Sequence, residues 1–254
     1  MSPLPCCTAF AAELSELTLK AYERYAVEVV ERFNFCPWAR AARESGNVVL
    51  RVVFSEDRDD FDESLRLLSE LHGPASDAGA SADIALFIYP LLDLDRLGFE
   101  DYARRLRARA EDGGDLAHGV GFGRLDAFAM AAFHPSADAD LGHPDRLVPF
   151  VRKSPDPTLQ LVRKSALSGI KGLTQGTAFL DVSALTADAL KALQVPPPKA
   201  VRDRIAEQNL ATVREAGSAA IDVVLTDIAR EREVAHQRLF ARHGRRGPRR
   251  LDPG

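Results

Sequence analysis

The sequence lacks several features that would assign it to a specialised class of protein. Cysteine occurs only at Cys6, Cys7 and Cys36, and these three do not have the paired spacing of a zinc site. Sparse cysteine is typical of a reducing compartment, because disulfides persist in oxidising ones. No apolar run approaches the roughly 20 residues of a membrane-spanning helix, and segment 1–7 is too short and too poor in apolar residues for a secretion signal. We therefore expect a cytoplasmic protein without a membrane partner.

An excess of positive charge is also absent. The chain has 33 Lys and Arg against 37 Asp and Glu, which gives a net charge of −4. Nucleic-acid-binding proteins commonly carry a basic surface, so we expect no nucleic-acid partner. The basic stretch 242–254 is instead predicted to be a disordered, solubilising tail. Hydrophobic residues make up 46% of the chain, as in an ordinary globular protein.

The pattern of apolar residues predicts strands that alternate with helices. After a flexible N-terminus over 1–12, an amphipathic helix is predicted from Glu13 to Phe33. Three β-branched or apolar runs predict strands, at Val48–Phe54, Ile84–Tyr89 and Ala127–Phe133. Helices are predicted between them. This order favours an α/β fold with a three- or four-stranded, mostly parallel sheet flanked by helices.

The second half of the chain is predicted to be mainly helical. Ser154-Pro155-Asp156-Pro157 is typical of a helix start, and apolar residues continue the pattern towards Ile170. Thr177–Val182 is a candidate fourth strand inside a stretch, 169–195, that resembles an insertion. The α/β domain is predicted to span 13–195. A long C-terminal helical segment over 196–241, broken near Gly217, is expected to pack on that domain or extend it.

Four segments, in this order along the chain, are similar to those of one bacterial protein family. They are Phe35-Cys36-Pro37-Trp38-Ala39, Phe133-His134-Pro135, the run from Ser154 to Arg163 and the run from Ile205 to Gly217. On these residues the chain resembles the family called domain of unknown function 1415. The chain departs from the usual family residues at four positions, Lys153, Asp156, Gln160 and Lys164. The family has no assigned activity, so the resemblance indicates a location and not a reaction.

Two residues are candidates for catalysis. Cys36 is predicted to cap a helix begun by Pro37, where backbone N–H groups would stabilise a nucleophilic or redox-active thiolate. The alternative is a small buried side chain between Phe35 and Trp38. His134 closes a strand, and ligand sites gather at strand carboxyl ends, so it is a candidate general base or metal ligand. The alternative is a histidine that only caps the strand through hydrogen bonds.

Four further residues are candidates for binding. A helix start with a hydroxyl and adjacent cations makes an anion site, so Lys153, Ser154 and Arg163 are predicted to hold a phosphate or carboxylate. Asn209 would orient a neighbour through its amide. The alternative is a serine N-cap with solvated basic residues. An acidic loop with Asp138, Asp140, His143 and Asp145 is a candidate ion site, but it lacks the glycine and glutamate spacing of a calcium loop, which favours a solvated loop instead.

These candidates lead to one preferred hypothesis and two alternatives. We favour a small-molecule enzyme that uses Cys36 and His134 on an anionic substrate, with its reaction and cofactor undetermined. It requires the two side chains within hydrogen-bonding or one-water reach beside a pocket. One alternative is a non-catalytic binding or assembly protein whose C-terminal helix contacts a partner or a second copy through an exposed apolar stripe. The other is a metal-binding protein.

Overall fold

A four-stranded sheet organises the chain. The structure is a computed structural model that describes residues 5–72, 82–111, 128–168, 201–245 and 247. The helices are α1 (Pro5–Tyr25), α2 (Ala39–Glu44), α3 (Asp62–His72), α4 (Arg96–Glu111), α5 (Pro144–Val151), α6 (Lys164–Ser168), α7 (Val201–Ala216) and α8 (Ser218–Arg242). The strands are β1 (Val48–Val52), β2 (Ile84–Ile88), β3 (Phe128–Phe133) and β4 (Thr158–Arg163).

The order of strands in the sheet is β1-β2-β4-β3. β1 and β2 pair in parallel, whereas β4 pairs antiparallel with both β2 and β3. β1, β2 and β3 therefore run in one direction, and β4 runs in reverse between two of them. The predicted α/β fold with up to four strands is confirmed. The expectation of a mostly parallel sheet is wrong, since two of the three strand pairings are antiparallel.

The correction arises because β4 occupies a segment that was predicted to be a helix. A residue before proline is held in extended conformations, and Ser154 and Asp156 each precede a proline. The chain therefore enters Thr158 already extended. Leu159 and Leu161 then alternate onto one buried face, as the period of a strand requires. The predicted helix from Ser154 to Ile170 is thus wrong, apart from the short α6.

Apolar side chains cover both faces of the sheet. On one face, α3 and α4 pack over Phe87, Leu159 and Leu161. On the other face, α1, α5, α7 and α8 pack over Leu86 and Ile88. Burying a leucine-sized side chain fully contributes about 1.5–3 kcal/mol. Two helical layers around one sheet therefore hold the described chain together.

The N-terminal helix differs from its predicted bounds. α1 begins at Pro5, within the predicted flexible segment 1–12, and it ends at Tyr25. A π-helical segment, Ala26–Glu31, follows it. Cys36 was predicted to be the N-cap of the helix that follows it. The N-cap of α2 is instead Trp38, two residues after Cys36.

The C-terminal helices match their prediction. Gly217 separates α7 from α8 with a φ of 82°, a conformation that favours glycine. α8 lies antiparallel along α1, and ion pairs Lys20–Glu231 and Glu13–Arg242 join the two helices. Within the described residues no helix is long and apolar enough to span a membrane. The whole 169–195 stretch with its candidate strand Thr177–Val182, the linker at 196–198 and most of the tail beyond 245 lie outside the described residues.

Candidate functional site

The carboxyl end of β3 carries His134, whose ring is held by two backbone groups. The N–H of Ser136 donates to Nδ1 over 3.1 Å, and Nε2 lies 3.0 Å from the carbonyl oxygen of Leu94. Because Nδ1 accepts, Nε2 carries the proton and donates to Leu94, which makes the imidazole neutral. The side chain is 7% exposed. These contacts support the capping role of His134 rather than that of a general base.

A small cleft opens beside His134, between α4 and α5. Its volume is about 50 Å³, and it is lined by Arg96, Phe99, Glu100, Ala132, His134, Val148, Pro149 and Arg152. Pockets for drug-sized molecules measure roughly 300–1,000 Å³. The cleft therefore has room for one small chemical group and not for a whole ligand of that size.

The side chain of Arg152 is the unusual feature of this cleft. The residue is half-buried, and its guanidinium lies over the ring of Phe133, 5.7 Å from the centroid. Among the buried and half-buried arginines of the described ranges, Arg152 alone has no hydrogen bond or ion pair. Burial has the largest effect on the pKa of Arg152 and lowers it below its ordinary value. Tyr25 and Glu100 act to raise this pKa, and the positive charge of Arg202 acts to lower it. Within the described residues this half-buried cation thus has no hydrogen-bonded or ion-paired partner, and the carboxylate of Glu100, which pairs with Arg96, acts on it only through its charge.

The first turn of α4 forms the opposite wall of the cleft. Arg96 lies there and donates to Glu100 over 2.5 Å, and the turn contains no acidic residue. The N-terminus of a helix carries a partial positive charge. The carboxylate of Asp95 already accepts from the N–H of Gly98 at this end of α4, so Arg152 is the group of the cleft that favours an added anion.

The predicted anion site of Lys153, Ser154 and Arg163 does not form. Lys153 donates to Asp222 of α8 over 2.7 Å, and Ser154 Oγ donates to the carbonyl of Asp156 over 2.5 Å. Arg163 lies at the far end of β4, a strand of six residues that spans roughly 17 Å. There it donates to the carbonyls of residues 82 and 71. The three residues are separated because β4 is extended. Thr158 begins the strand next to Phe133 and His134, whereas Arg163 lies at its other end.

Cys36 lies apart from the cleft and is not an activated thiol. Burial raises the pKa of the Cys36 thiol, and the backbone N–H groups of Trp38 and Ala39 offset this only in part. In the ranges that the structure describes, no hydrogen bond joins Cys36 to His134. Asn209 does reach this segment, since Nδ2 donates to the carbonyl of Phe35 over 3.2 Å. The structure therefore does not bring Cys36 and His134 together, whereas the amide of Asn209 contacts the backbone beside Cys36.

The acidic loop before α5 uses its side chains to shape the backbone. His143 Nδ1 accepts from the N–H of Asp145 and caps α5, and Asp140 Oδ1 accepts from the N–H of Gly142. Within the described part of the chain, no group of three or more His, Cys, Asp or Glu side chains is placed to hold a metal ion. The structure therefore offers no support for the metal-binding alternative in these residues.

The model of the protein family of unknown function DUF1415 matches residues 18–176. The chain belongs to this family. A comparison with curated proteins and one with solved structures each found no match. Every residue that lines the cleft lies within the DUF1415 match, whereas α7 and α8 lie beyond it. The cleft is therefore part of the DUF1415 region itself.

A buried ion pair joins the DUF1415 region to α8, and sequence reasoning did not find it. Asp156 and Arg232 have side chains that are each 1% exposed, and Nη2 of Arg232 lies 2.5 Å from Oδ1 of Asp156. The same nitrogen donates to the carbonyl of Pro90 over 3.1 Å. Arg232 lies in a helix with several other arginines, so no local pattern distinguishes it. The sequence offers one signal for the ion pair, which is that Asp156 departs from the residue usual in the family at that position.

Proposed function

We propose that the protein binds a small anionic molecule and that Arg152 holds its anionic group in the cleft beside His134. The supporting observation is the half-buried guanidinium of Arg152, which has no hydrogen bond or ion pair within the described residues. Burying a charge without a partner is unfavourable by several kcal/mol. A carboxylate or phosphate removes this penalty, because its oxygens match the planar fork of the guanidinium.

The surroundings of Arg152 support the same ligand chemistry. Phe99, Val148 and Pro149 give the cleft an apolar lining, and electrostatic attraction is stronger where water is excluded. A volume of about 50 Å³ suits one carboxylate or phosphate group. The remainder of the ligand then lies outside, over α4 and α5. Catalysis by Cys36 and His134 is not part of this proposal, because His134 is engaged by the backbone.

The assembly hypothesis has less support from the geometry. It needs an exposed apolar stripe on the C-terminal helices, but Ile221, Leu225 and Ile228 of α8 are buried against the rest of the protein. The large apolar residues that α8 exposes are Val223 and Val234, eleven positions apart along the helix. Scattered exposed apolar residues are normal on protein surfaces.

Calorimetric titration with inorganic phosphate and with acetate tests the proposal. We expect binding by the unaltered protein and a rise in its melting temperature, since a ligand at a hundred times its Kd stabilises by about 2.7 kcal/mol. Arg152→Gln should abolish both effects. Arg146→Gln is the matched control, because Arg146 is an exposed arginine of α5, the helix that ends directly before Arg152.

Binding that persists in Arg152→Gln, or that falls equally in Arg146→Gln, contradicts the proposal. All titrations are made at one ionic strength, because general charge attraction is screened by salt. A site built on Arg152 depends on that one side chain and much less on the net charge of the protein.

A further inference from the structure

The charged side chains of the cleft leave a single positive charge unbalanced. Among the described residues that line it, these side chains are Arg96, Glu100 and Arg152. Arg96 and Glu100 form an ion pair over 2.5 Å and neutralise each other. The ring of His134 is neutral, because both of its nitrogens are engaged by backbone groups. One negative charge on a ligand therefore balances the charge of Arg152, whereas a second would lie in the same cleft as the carboxylate of Glu100.

The donors of the cleft suit a carboxylate better than a phosphate group. A carboxylate has two oxygens, and the planar fork of one guanidinium binds both. A phosphate group has three terminal oxygens and carries up to two negative charges. Its third oxygen would have to take a donor from Arg96, which already pairs with Glu100, since Nε2 of His134 donates to a backbone carbonyl. Arg152 therefore offers a complete site to a carboxylate and an incomplete one to a phosphate.

The remaining walls of the cleft are apolar. They are formed by Phe99, Ala132, Val148 and Pro149. Their side chains offer a ligand no hydrogen bond, so a polar atom placed against them loses its contacts with water without replacement. A methylene group that is fully removed from water there instead gains about fourfold in affinity. At the outer surface of α4, Leu97 is 64% exposed and lies beside Glu100. Apolar surface therefore continues from the cleft to the outside of α4.

We infer that the ligand is an organic acid with a single carboxylate on a short hydrocarbon chain, and that it binds in preference to a phosphate. This inference rests on the anion site proposed above and names the chemical class that the site binds. Arg152 binds the carboxylate, and the hydrocarbon chain contacts the apolar walls and extends over Leu97. Glu100 determines specificity, because its carboxylate repels the second negative charge of a phosphate or phosphonate group.

The test compares ligands that share a hydrocarbon chain and differ in their anionic group. Butyrate and propylphosphonate both carry a propyl group, and we expect butyrate to bind about tenfold more tightly. Acetate, butyrate and hexanoate form a second series, in which each methylene group that is buried should add up to about fourfold in affinity. Calorimetric titrations of the full chain use one pH and one ionic strength, because charge attraction is screened by salt.

Glu100→Gln tests the specificity-determining role. Removing the carboxylate should strengthen propylphosphonate binding by about fivefold more than butyrate binding, because the phosphonate carries the larger negative charge. Glu70→Gln is the matched control. Glu70 pairs with Arg66 four residues away, as Glu100 does with Arg96, but it lies on α3 and does not line the cleft. It should leave the ratio of the two affinities unchanged.

Leu97→Ser tests the path of the hydrocarbon chain. We expect it to reduce the gain in affinity from butyrate to hexanoate, since the outer methylene groups then meet a polar side chain. Val223→Ser is the matched control, because Val223 is 69% exposed on α8 and does not line the cleft. An equal reduction in both variants would show that the chain does not extend over Leu97.

The outcomes separate the ligand class from the anion site on which it rests. If propylphosphonate binds through Arg152 as tightly as butyrate, the carboxylate class is wrong and the anion site stands. If affinity does not rise from acetate to hexanoate, the hydrocarbon chain is wrong and the anion site stands. If Glu100→Gln and Glu70→Gln change the ratio equally, Glu100 does not determine specificity. If no ligand binds the unaltered protein, or if Arg152→Gln binds every ligand equally well, the anion site and its ligand class are both rejected.

Discussion

Arg232 and Arg152 are both withdrawn from water, but the protein completes the hydrogen bonding of only one of them. Arg232 donates to Asp156 and to the carbonyl of Pro90. Arg152 faces a cleft, lies over the ring of Phe133 and, in the described ranges, has no hydrogen bond or ion pair. The paired guanidinium of Arg232 stabilises the fold, whereas we propose that the guanidinium of Arg152, beside an opening, binds a ligand. The difference lies in the neighbours and not in the residue type.

The largest expected effect is the loss of the buried pair. Arg232→Met leaves the carboxylate of Asp156 buried without its cation, so we expect the free energy of unfolding to fall by about 3–5 kcal/mol. Urea denaturation measures it. Arg230→Gln is the matched control, because Arg230 is exposed and its pair with Asp227 lies on the surface.

A double variant sharpens this result. Asp156→Leu combined with Arg232→Met replaces both charges by apolar groups, and we expect it to recover most of the lost stability. A loss under about 1 kcal/mol in Arg232→Met would show that the pair is not the structural element described here.

Arg152→Met should have a smaller effect of opposite sign. It removes a half-buried charge that has no partner, so we expect stability without ligand to be unchanged or to rise by about 1 kcal/mol. Thermal and urea unfolding in buffer without phosphate or carboxylate measure the change. Destabilisation by 2 kcal/mol or more, on the order expected for a lost core contact, would instead make Arg152 a structural residue.

The smallest expected effect concerns Cys36. Because burial raises the pKa of the Cys36 thiol, its thiolate fraction is low at neutral pH, and labelling by iodoacetamide should be slow there. The rate should increase only above about pH 8.5, where an ordinary free thiol titrates. His134→Ala should leave this rate unchanged when measured on folded protein. Fast labelling at pH 7 that slows in His134→Ala would restore the catalytic pair.

Much of the sheet could be predicted because its first three strands are locally apolar. β1, β2 and β3 each fall within the predicted runs, to within two residues of their ends. β4 was mistaken for a helix because Leu159 and Val162 also fit a helical spacing. The stronger signal was the pair of prolines before it, Pro155 and Pro157, which hold the preceding residues extended.

The location of the cleft was easier to predict than the residues that line it. The rule that ligands bind at strand carboxyl ends led to His134, and the cleft is there. The error in β4 then misplaced Arg163, because a helix would have kept it near His134. Arg152 directly precedes the predicted anion-binding residues Lys153 and Ser154, but it was not predicted to bind the anion itself. Its distinguishing property is the lack of a partner, which depends on tertiary contacts that no local pattern encodes.

The reversed position of β4 also sets the sequence of events in folding. Among the described strands β3 pairs with β4 alone, and β4 follows it in the chain, so we expect β3 to stay outside this sheet until β4 has been synthesised. During synthesis, β1 and β2 can associate early while β3 waits with its edge unpaired. β4 then pairs with β2 on one side and with β3 on the other. We therefore expect the cleft, which includes His134 at the end of β3, to form only after β4 has joined the sheet.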